Sequence, residues 1–126
     1  MKIIATQINQ QDDRGAIMDL VEGMNINAVT FISFRKGAVR GNHCHKQTTQ
    51  WNYVIKGKIQ LVAQVGDEPV EEAVLEKGGF AVTGPMEKHA LVGIEDSEIL
   101  VFTQGPRGGK EYESDTFRLD TPLVRG

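Results

Sequence analysis

Residues 37 to 57 read Gly37-Ala38-Val39-Arg40-Gly41-Asn42-His43-Cys44-His45-Lys46-Gln47-Thr48-Thr49-Gln50-Trp51-Asn52-Tyr53-Val54-Ile55-Lys56-Gly57. The segment from Asn42 to Lys56 is the longest in the chain free of Gly and Pro, at 15 residues. It reads as strand rather than helix. In a strand, His43 and His45 at i and i+2 place their imidazoles on one face. A bare His-x-His pair also occurs on exposed edge strands. Facing a barrel interior, however, two imidazoles would need only one group from a neighbouring strand to complete a metal site or an acid/base pocket. The chain has three histidines, so His89 is the remaining one.

Outward from this stretch, the rest of the chain also reads as short strands. The 14 Gly and 4 Pro leave no room for long helices. Between Asn25 and Phe34, Ile26, Ala28, Thr30, Ile32 and Phe34 fall on one face and Asn27, Val29, Phe31 and Ser33 on the other. Both faces are partly apolar, as in a sandwich. Ile59 to Val65 and Glu98 to Thr103 share the same β-branched richness. Turn signals separate the strands at Arg35-Lys36-Gly37, Lys56-Gly57-Lys58, Gly66-Asp67-Glu68-Pro69, Lys77-Gly78-Gly79, Gly84-Pro85 and Glu95-Asp96-Ser97. Evenly spaced short strands predict a β-sandwich or barrel.

The chain of 126 residues, 40% hydrophobic and 25% charged, fits one soluble globular domain. We place its barrel core at about residues 25–104 and a polar tail at 105–126, with Gly105 to Lys110 as a loop. The tail is expected to wrap the surface or a partner subunit. No apolar run approaches the roughly 20 residues needed to span a bilayer, and the N-terminus lacks an apolar signal segment, which predicts a cytoplasmic protein. A net charge of -3 argues against nucleic-acid and membrane partners. The lone Cys44 excludes an internal disulfide and reads as a small buried hydrophobe. Exposed sheet edges in so small a barrel predict a homodimer, paired through an N-terminal strand such as Lys2 to Thr6.

Gly37, His43, His45, Gln50 and Gly57 follow the spacing of the first cupin motif, G-x5-H-x-H-x3-4-E-x6-G, with Gln50 in place of its glutamate. Gly79, Pro85 and His89 resemble the second motif, with Glu87 at its central glycine and a spacing one residue shorter than the commonest. The chain therefore resembles the cupin superfamily, RmlC-like branch. That resemblance implies an all-β fold, a single double-stranded β-helix or jelly-roll barrel. Arg40-Gly41-Asn42-His43-Cys44-His45-Lys46 is similar to the R-G-x-H-A-H-K segment of dTDP-4-keto-6-deoxyglucose 3,4-ketoisomerases. It also resembles the R-G-N-H-Y-H segment in cupin domains of capsular polysaccharide biosynthesis proteins. Asp13-Arg14-Gly15 and Arg40-Gly41-Asn42-His43 resemble pieces of dTDP-4-dehydrorhamnose 3,5-epimerases. All three groups act on nucleotide-linked deoxysugars.

The resemblance implies a sugar-nucleotide isomerase or epimerase acting on a 4-keto-6-deoxyhexose nucleotide in surface polysaccharide biosynthesis, with no required cofactor. A neutral imidazole with an ordinary pKa of about 6.5 suits proton removal beside a ketone. His43 is the candidate base and His45 its partner. Arg40, three residues earlier, faces the opposite side of a regular strand, and only a bulge would turn its guanidinium toward a diphosphate or an oxyanion. Gln50 would hydrogen-bond a histidine or a sugar hydroxyl. Trp51 and Tyr53 alternate with Gln50, so they point inward, as stacking surface and phenolic acid, only if the register is reversed. Arg14, Arg35 and Lys46 are candidate phosphate contacts.

Two other readings stay open. In one, His43, His45, Gln50 and His89 hold a divalent metal (Zn, Fe, Ni or Mn) in a dioxygenase or lyase. Gln50 would supply a neutral oxygen where a carboxylate would supply charge. In the other, the barrel is a non-catalytic module that binds sugars or other small molecules.

Overall fold

A computed structural model describes residues 1–106 and 111–126. Two five-stranded antiparallel sheets face each other. One has the order β1 (Lys2–Ile3), β9 (Phe80–Thr83), β6 (Thr49–Lys56), β11 (Ser97–Gln104), β4 (Ala28–Phe34). The other has the order β12 (Phe117–Arg118), β5 (Val39–Cys44), β10 (Glu87–Gly93), β7 (Lys58–Val65), β8 (Glu71–Glu76). A small hairpin of β2 (Gln10–Asp12) and β3 (Gly15–Ile17) stands apart from them. The helix among the described residues, α1 (Glu111–Ser114), is a single turn. This is the jelly-roll barrel that the motif spacing implies.

The predicted turns separate these strands, and β4 shows the expected alternation. Phe34 points into the core, while Val29 and Phe31 are exposed on the outer face. Phe31 pairs with Leu100 and Val29 with Phe102, which extends the apolar outer face onto β11. Inside the sandwich, Phe34, Val54, Ile59, Leu61, Leu75, Ala81, Leu91, Ile99 and Val101 form one cluster. Burial of these side chains contributes about 1.5–3 kcal/mol for each large one, and this drives the two sheets together.

Two expectations change. The stretch Asn42 to Lys56 is two strands in different sheets: β5 ends at Cys44, and residues 45–48 cross to β6. The physical reason is that Asp115 binds this crossing, as described below. The tail wraps its own barrel: β12 pairs with β5, Phe117 with Cys44 and Arg118 with His43. At the edge of its sheet, β1 pairs on one side with β9, Lys2 with Val82 and Ile3 with Ala81. Cys44 is half-buried rather than buried. Of the predicted loop at Gly105 to Lys110, residues 107–110 lie outside the described residues.

Candidate active site

A bulge in β5 organises the site. His89 pairs with His43 and Ala90 with Gly41, so one step along β10 spans two along β5, and Asn42 is the extra residue. Gly41 and Asn42 take φ of 89° and 56°. Gly41 is needed twice over, since a Cβ there would also lie 2.9 Å from the His89 carbonyl oxygen. Asn42 tolerates the left-handed region, and its side chain ties down the tail. Its Oδ1 accepts the Leu123 and Val124 N–H groups at 2.9 and 3.1 Å, and its Nδ2 donates to Val124 O at 2.8 Å. The inserted residue changes the strand's parity. Arg40 therefore lines the same cavity as His43, although its side chain is largely solvent-exposed. Its Nη2 donates to Ser33 O at 3.0 Å, and its guanidinium carbon lies 5.4 Å from the centre of the Phe34 ring.

The three histidines converge at the cavity. Ring centres are 4.8 Å apart for His43 and His45, 4.7 Å for His43 and His89, and 5.2 Å for His45 and His89. One ring nitrogen from each lies within 4.8 Å of the others. His45 and His89 are buried. Nδ1 of His45 is 2.8 Å from Asp115 O, and Nδ1 of His89 is 3.2 Å from Glu87 O. A carbonyl only accepts, so each Nδ1 donates, and in the neutral ring Nε2 then carries the lone pair. Nε2 of His45 is buried with no hydrogen-bond partner. Burial, and then charge on His43 and His45, hold His89 well below its ordinary value of 6.5. It is therefore a neutral imidazole at neutral pH.

The cavity holds about 380 Å³. Gln50 and Asn52 enter it from β6, and Asn52 donates to Ala81 O at 3.3 Å. Thr116 and Arg118 line it from the tail. Arg118 sits directly opposite His43 in the ladder, so the two side chains share a face. Sequence reasoning missed Asn52, Thr116, Arg118 and Asp115. Asn52 was visible as the inward neighbour of Gln50 at i+2; the tail residues carry no motif.

The donor set fits a divalent ion. Three imidazoles are grouped, and two of them hold Nδ1–H on backbone carbonyls, the second contact that orients histidine ligands. Gln50 lines the cavity and brings only a neutral oxygen.

Five candidate residues are not brought to this site. Gln50 points inward, so strand alternation puts Trp51 and Tyr53 on the outer face of β6. There Trp51 is buried and Tyr53 meets Phe80 edge-on at 5.9 Å. Arg14 lies in the detached hairpin, its Nη2 2.7 Å from Asp12 Oδ2, and the pair is exposed. Arg35 lies beside Lys56 and Asp96, past the Phe34 end of β4, while the histidines sit by the Gln50 end of β6. Lys46 is exposed with its ammonium 4.3 Å from the centre of the Phe117 ring.

Two facing jelly-roll sheets with histidines from β5, its following turn and β10 make a barrel of the RmlC-like cupin fold. Solved structures agree on the fold. The chain is similar to a double mutant of the 3,4-ketoisomerase QdtA from Thermoanaerobacterium thermosaccharolyticum in complex with TDP, at TM-score 0.75 and 23% identity over 92% of this chain and 85% of that one. It is also similar to dTDP-4-dehydrorhamnose 3,5-epimerase from Sulfolobus tokodaii, at TM-score 0.70 and 19% identity over 92% and 81%. A third likeness is to the capsular polysaccharide assembling protein CapF from Staphylococcus aureus, at TM-score 0.65 and 20% identity over 93% of this chain and 35% of that one. Comparison by sequence with curated proteins returned no match. The family model described as Polysaccharide biosynthesis C-terminal domain matches residues 10–117, and the chain belongs to that family.

Proposed function

We propose that this protein is an isomerase or epimerase of a 4-keto-6-deoxyhexose carried on a nucleoside diphosphate, acting in the cytoplasm in surface polysaccharide biosynthesis. The observation that carries the reading is the convergence of three imidazoles in a cavity whose wall also bears Arg40 and Arg118. His43 removes the acidic C–H proton beside the sugar ketone, and the electron pair moves onto the carbonyl oxygen to give an enediolate. The Arg40 guanidinium stabilises that oxyanion, and the proton returns at another carbon or face, with His45 as its partner. Gln50 and Asn52 hydrogen-bond sugar hydroxyls. The structures of QdtA with TDP and, in a mutant form, with TDP-4-keto-6-deoxyglucose support the substrate class.

The test is proton exchange in deuterium oxide with TDP-4-keto-6-deoxyglucose and related 4-keto nucleotides. Carbon-bound deuterium is expected with the native protein and not with His43→Asn. No incorporation from any of the nucleotides would overturn the reading.

The unpartnered Nε2 of His45 within the histidine group favours a second reading, a metal-dependent cupin of the dioxygenase or lyase kind with His43, His45 and His89 as ligands and Gln50 beside them. A bound ion would polarise a substrate oxygen or a water. Elemental analysis of untagged protein separates the two: one equivalent of zinc, iron, nickel or manganese, lost in His43→Ala and His89→Ala, favours this second reading.

We also propose a homodimer. Exposed Val29 and Phe31 beside Leu100 and Phe102 make an apolar sheet face that a second copy would cover. A light-scattering mass of one chain at micromolar concentration would refute it.

A further inference from the structure

Asp115 belongs to no motif, yet it is among the most buried polar residues, at 3% exposure. Its carboxylate accepts from three consecutive residues: Lys46 N–H at 2.9 Å, Gln47 N–H at 2.9 Å and the Thr48 hydroxyl at 2.7 Å. These residues form the crossing from His45 to β6. The carbonyl of the same Asp115 accepts from His45 Nδ1 at 2.8 Å. One residue thus holds the turn with its side chain and the ring with its main chain. A buried carboxylate is costly unless its lone pairs are used, and here three hydrogen bonds offset that cost. A simple latch for the tail would need only the carboxylate contacts. The carbonyl contact adds something a latch does not require, a fixed imidazole tautomer.

We propose that Asp115 is the positioning residue for His45: the anchored turn sets the ring, and the anchored carbonyl keeps hydrogen on Nδ1, so that the Nε2 lone pair is presented within the histidine cluster. Neutral imidazole in water favours hydrogen on Nε2 only slightly, so a single well-placed acceptor decides the tautomer. The wrong tautomer would put a donor where the reaction, or a metal, needs a lone pair. The chemical consequence rests on the proposed proton-transfer function, while the tautomer does not.

Long-range proton–nitrogen NMR of the histidine rings, on protein stripped with a chelator and held at neutral pH, reads the tautomer without substrate. His45 is expected as Nδ1–H in the native protein and as a mixture in Asp115→Ala. In Asp115→Asn, one side-chain oxygen still accepts, and Nδ1–H is expected to persist as the major form. In the exchange assay kcat is expected to fall about 100-fold in Asp115→Ala with KM little changed, and to recover in part in Asp115→Asn. Nε2–H at His45 in the native protein would overturn the assignment, as would a folded Asp115→Ala with native tautomer and kcat. If Asp115→Ala does not fold, the native spectrum decides alone. Absence of deuterium exchange with Nδ1–H at His45 would remove the proposed reaction and leave the positioning role standing.

Discussion

The same strands build both ends of the barrel, and the two ends differ in what they face inward. β6 turns Gln50 and Asn52 toward the cavity, then Val54 into the core; β10 turns His89, then Leu91. At the apolar end Val54, Ile59, Leu61 and Ile99 are fully buried. At the other end His45, Asn52, Thr83, His89 and Thr103 are buried as well, but they are polar. An apolar end needs volume and close packing. A polar end also needs hydrogen-bond partners; here these come with a bulge, two residues at positive φ and a tail tied back onto β5, and His45 Nε2 and Thr103 Oγ1 are still left without one.

If that division of labour is right, the largest stability effect belongs to the apolar end. Leu61→Ala should cost about 2–5 kcal/mol, the usual range for a cavity in a packed core, read as a lower urea midpoint at constant m-value. His43→Ala removes a ring that borders a cavity already present, so its midpoint should move much less. Equal losses in the two variants would erase the distinction between the ends.

Two glycines sharpen it further. Gly37 and Gly41 both have positive φ, 86° and 89°. A Cβ on Gly37 meets nothing within 4 Å, whereas on Gly41 it meets His89 O at 2.9 Å and Ala90 Cα at 3.2 Å. Gly37→Ala should therefore cost about 1–2 kcal/mol of backbone strain alone. Gly41→Ala should cost more, and it should also impair deuterium exchange, because it pushes β5 away from β10 where His43 and His89 pair. Similar effects from both substitutions would mean that the bulge does not shape the site.

pH probes the polar end directly. The folded value of His89 is depressed below 6.5, chiefly by burial. Below pH 6.5 the unfolded chain takes up a proton at this site that the folded chain refuses. His89 thus adds no instability above that pH, and metal-free protein should lose up to about 1.4 kcal/mol per pH unit as pH falls from 6.5 toward the folded value. Asp115 acts in a separate, more acid window. Burial raises its pKa, but its hydrogen bonds from Thr48, Gln47 and Lys46 outweigh this and leave it below 3.8. Its contribution is lost only as pH drops from about that value downward. Urea midpoints between pH 7 and 5 should fall for the native protein and less for His89→Asn.

Strand periodicity was legible from residue identities because it follows from backbone geometry. The faces of β4 and the turns at Gly57, Gly78 and Pro85 are examples. The histidines were legible because motif spacing fixed their partners. Two kinds of feature were not. The inward turn of Arg40 depends on an inserted residue, and nothing in Arg40-Gly41-Asn42-His43 says which residue the ladder will skip until β10 lies alongside. Asp115, Thr116 and Arg118 reach the site from some 70 residues away in sequence, through a strand of two residues. No local pattern marks so short a pairing. Arg14, Arg35 and Lys46 stand out in the sequence as phosphate contacts by charge alone, and charge does not tell a surface ion pair from a cavity wall.

The smallest expected effect tests the alternation itself. Tyr53 and Gln50 are three positions apart on β6, so they must face opposite sides unless that strand also bulges between them. The ladder excludes this: Gln50, Trp51, Asn52 and Tyr53 pair in unbroken register with Thr83, Val82, Ala81 and Phe80. The phenol is therefore kept from the cavity by the sheet itself. Tyr53→Phe should leave the exchange rate and its pH profile unchanged, since the ring contact with Phe80 is kept and only the hydroxyl is lost. Gln50→Ala should slow exchange. Slow exchange in Tyr53→Phe would mean that the phenol reaches a cavity, which in this register only a second copy could supply.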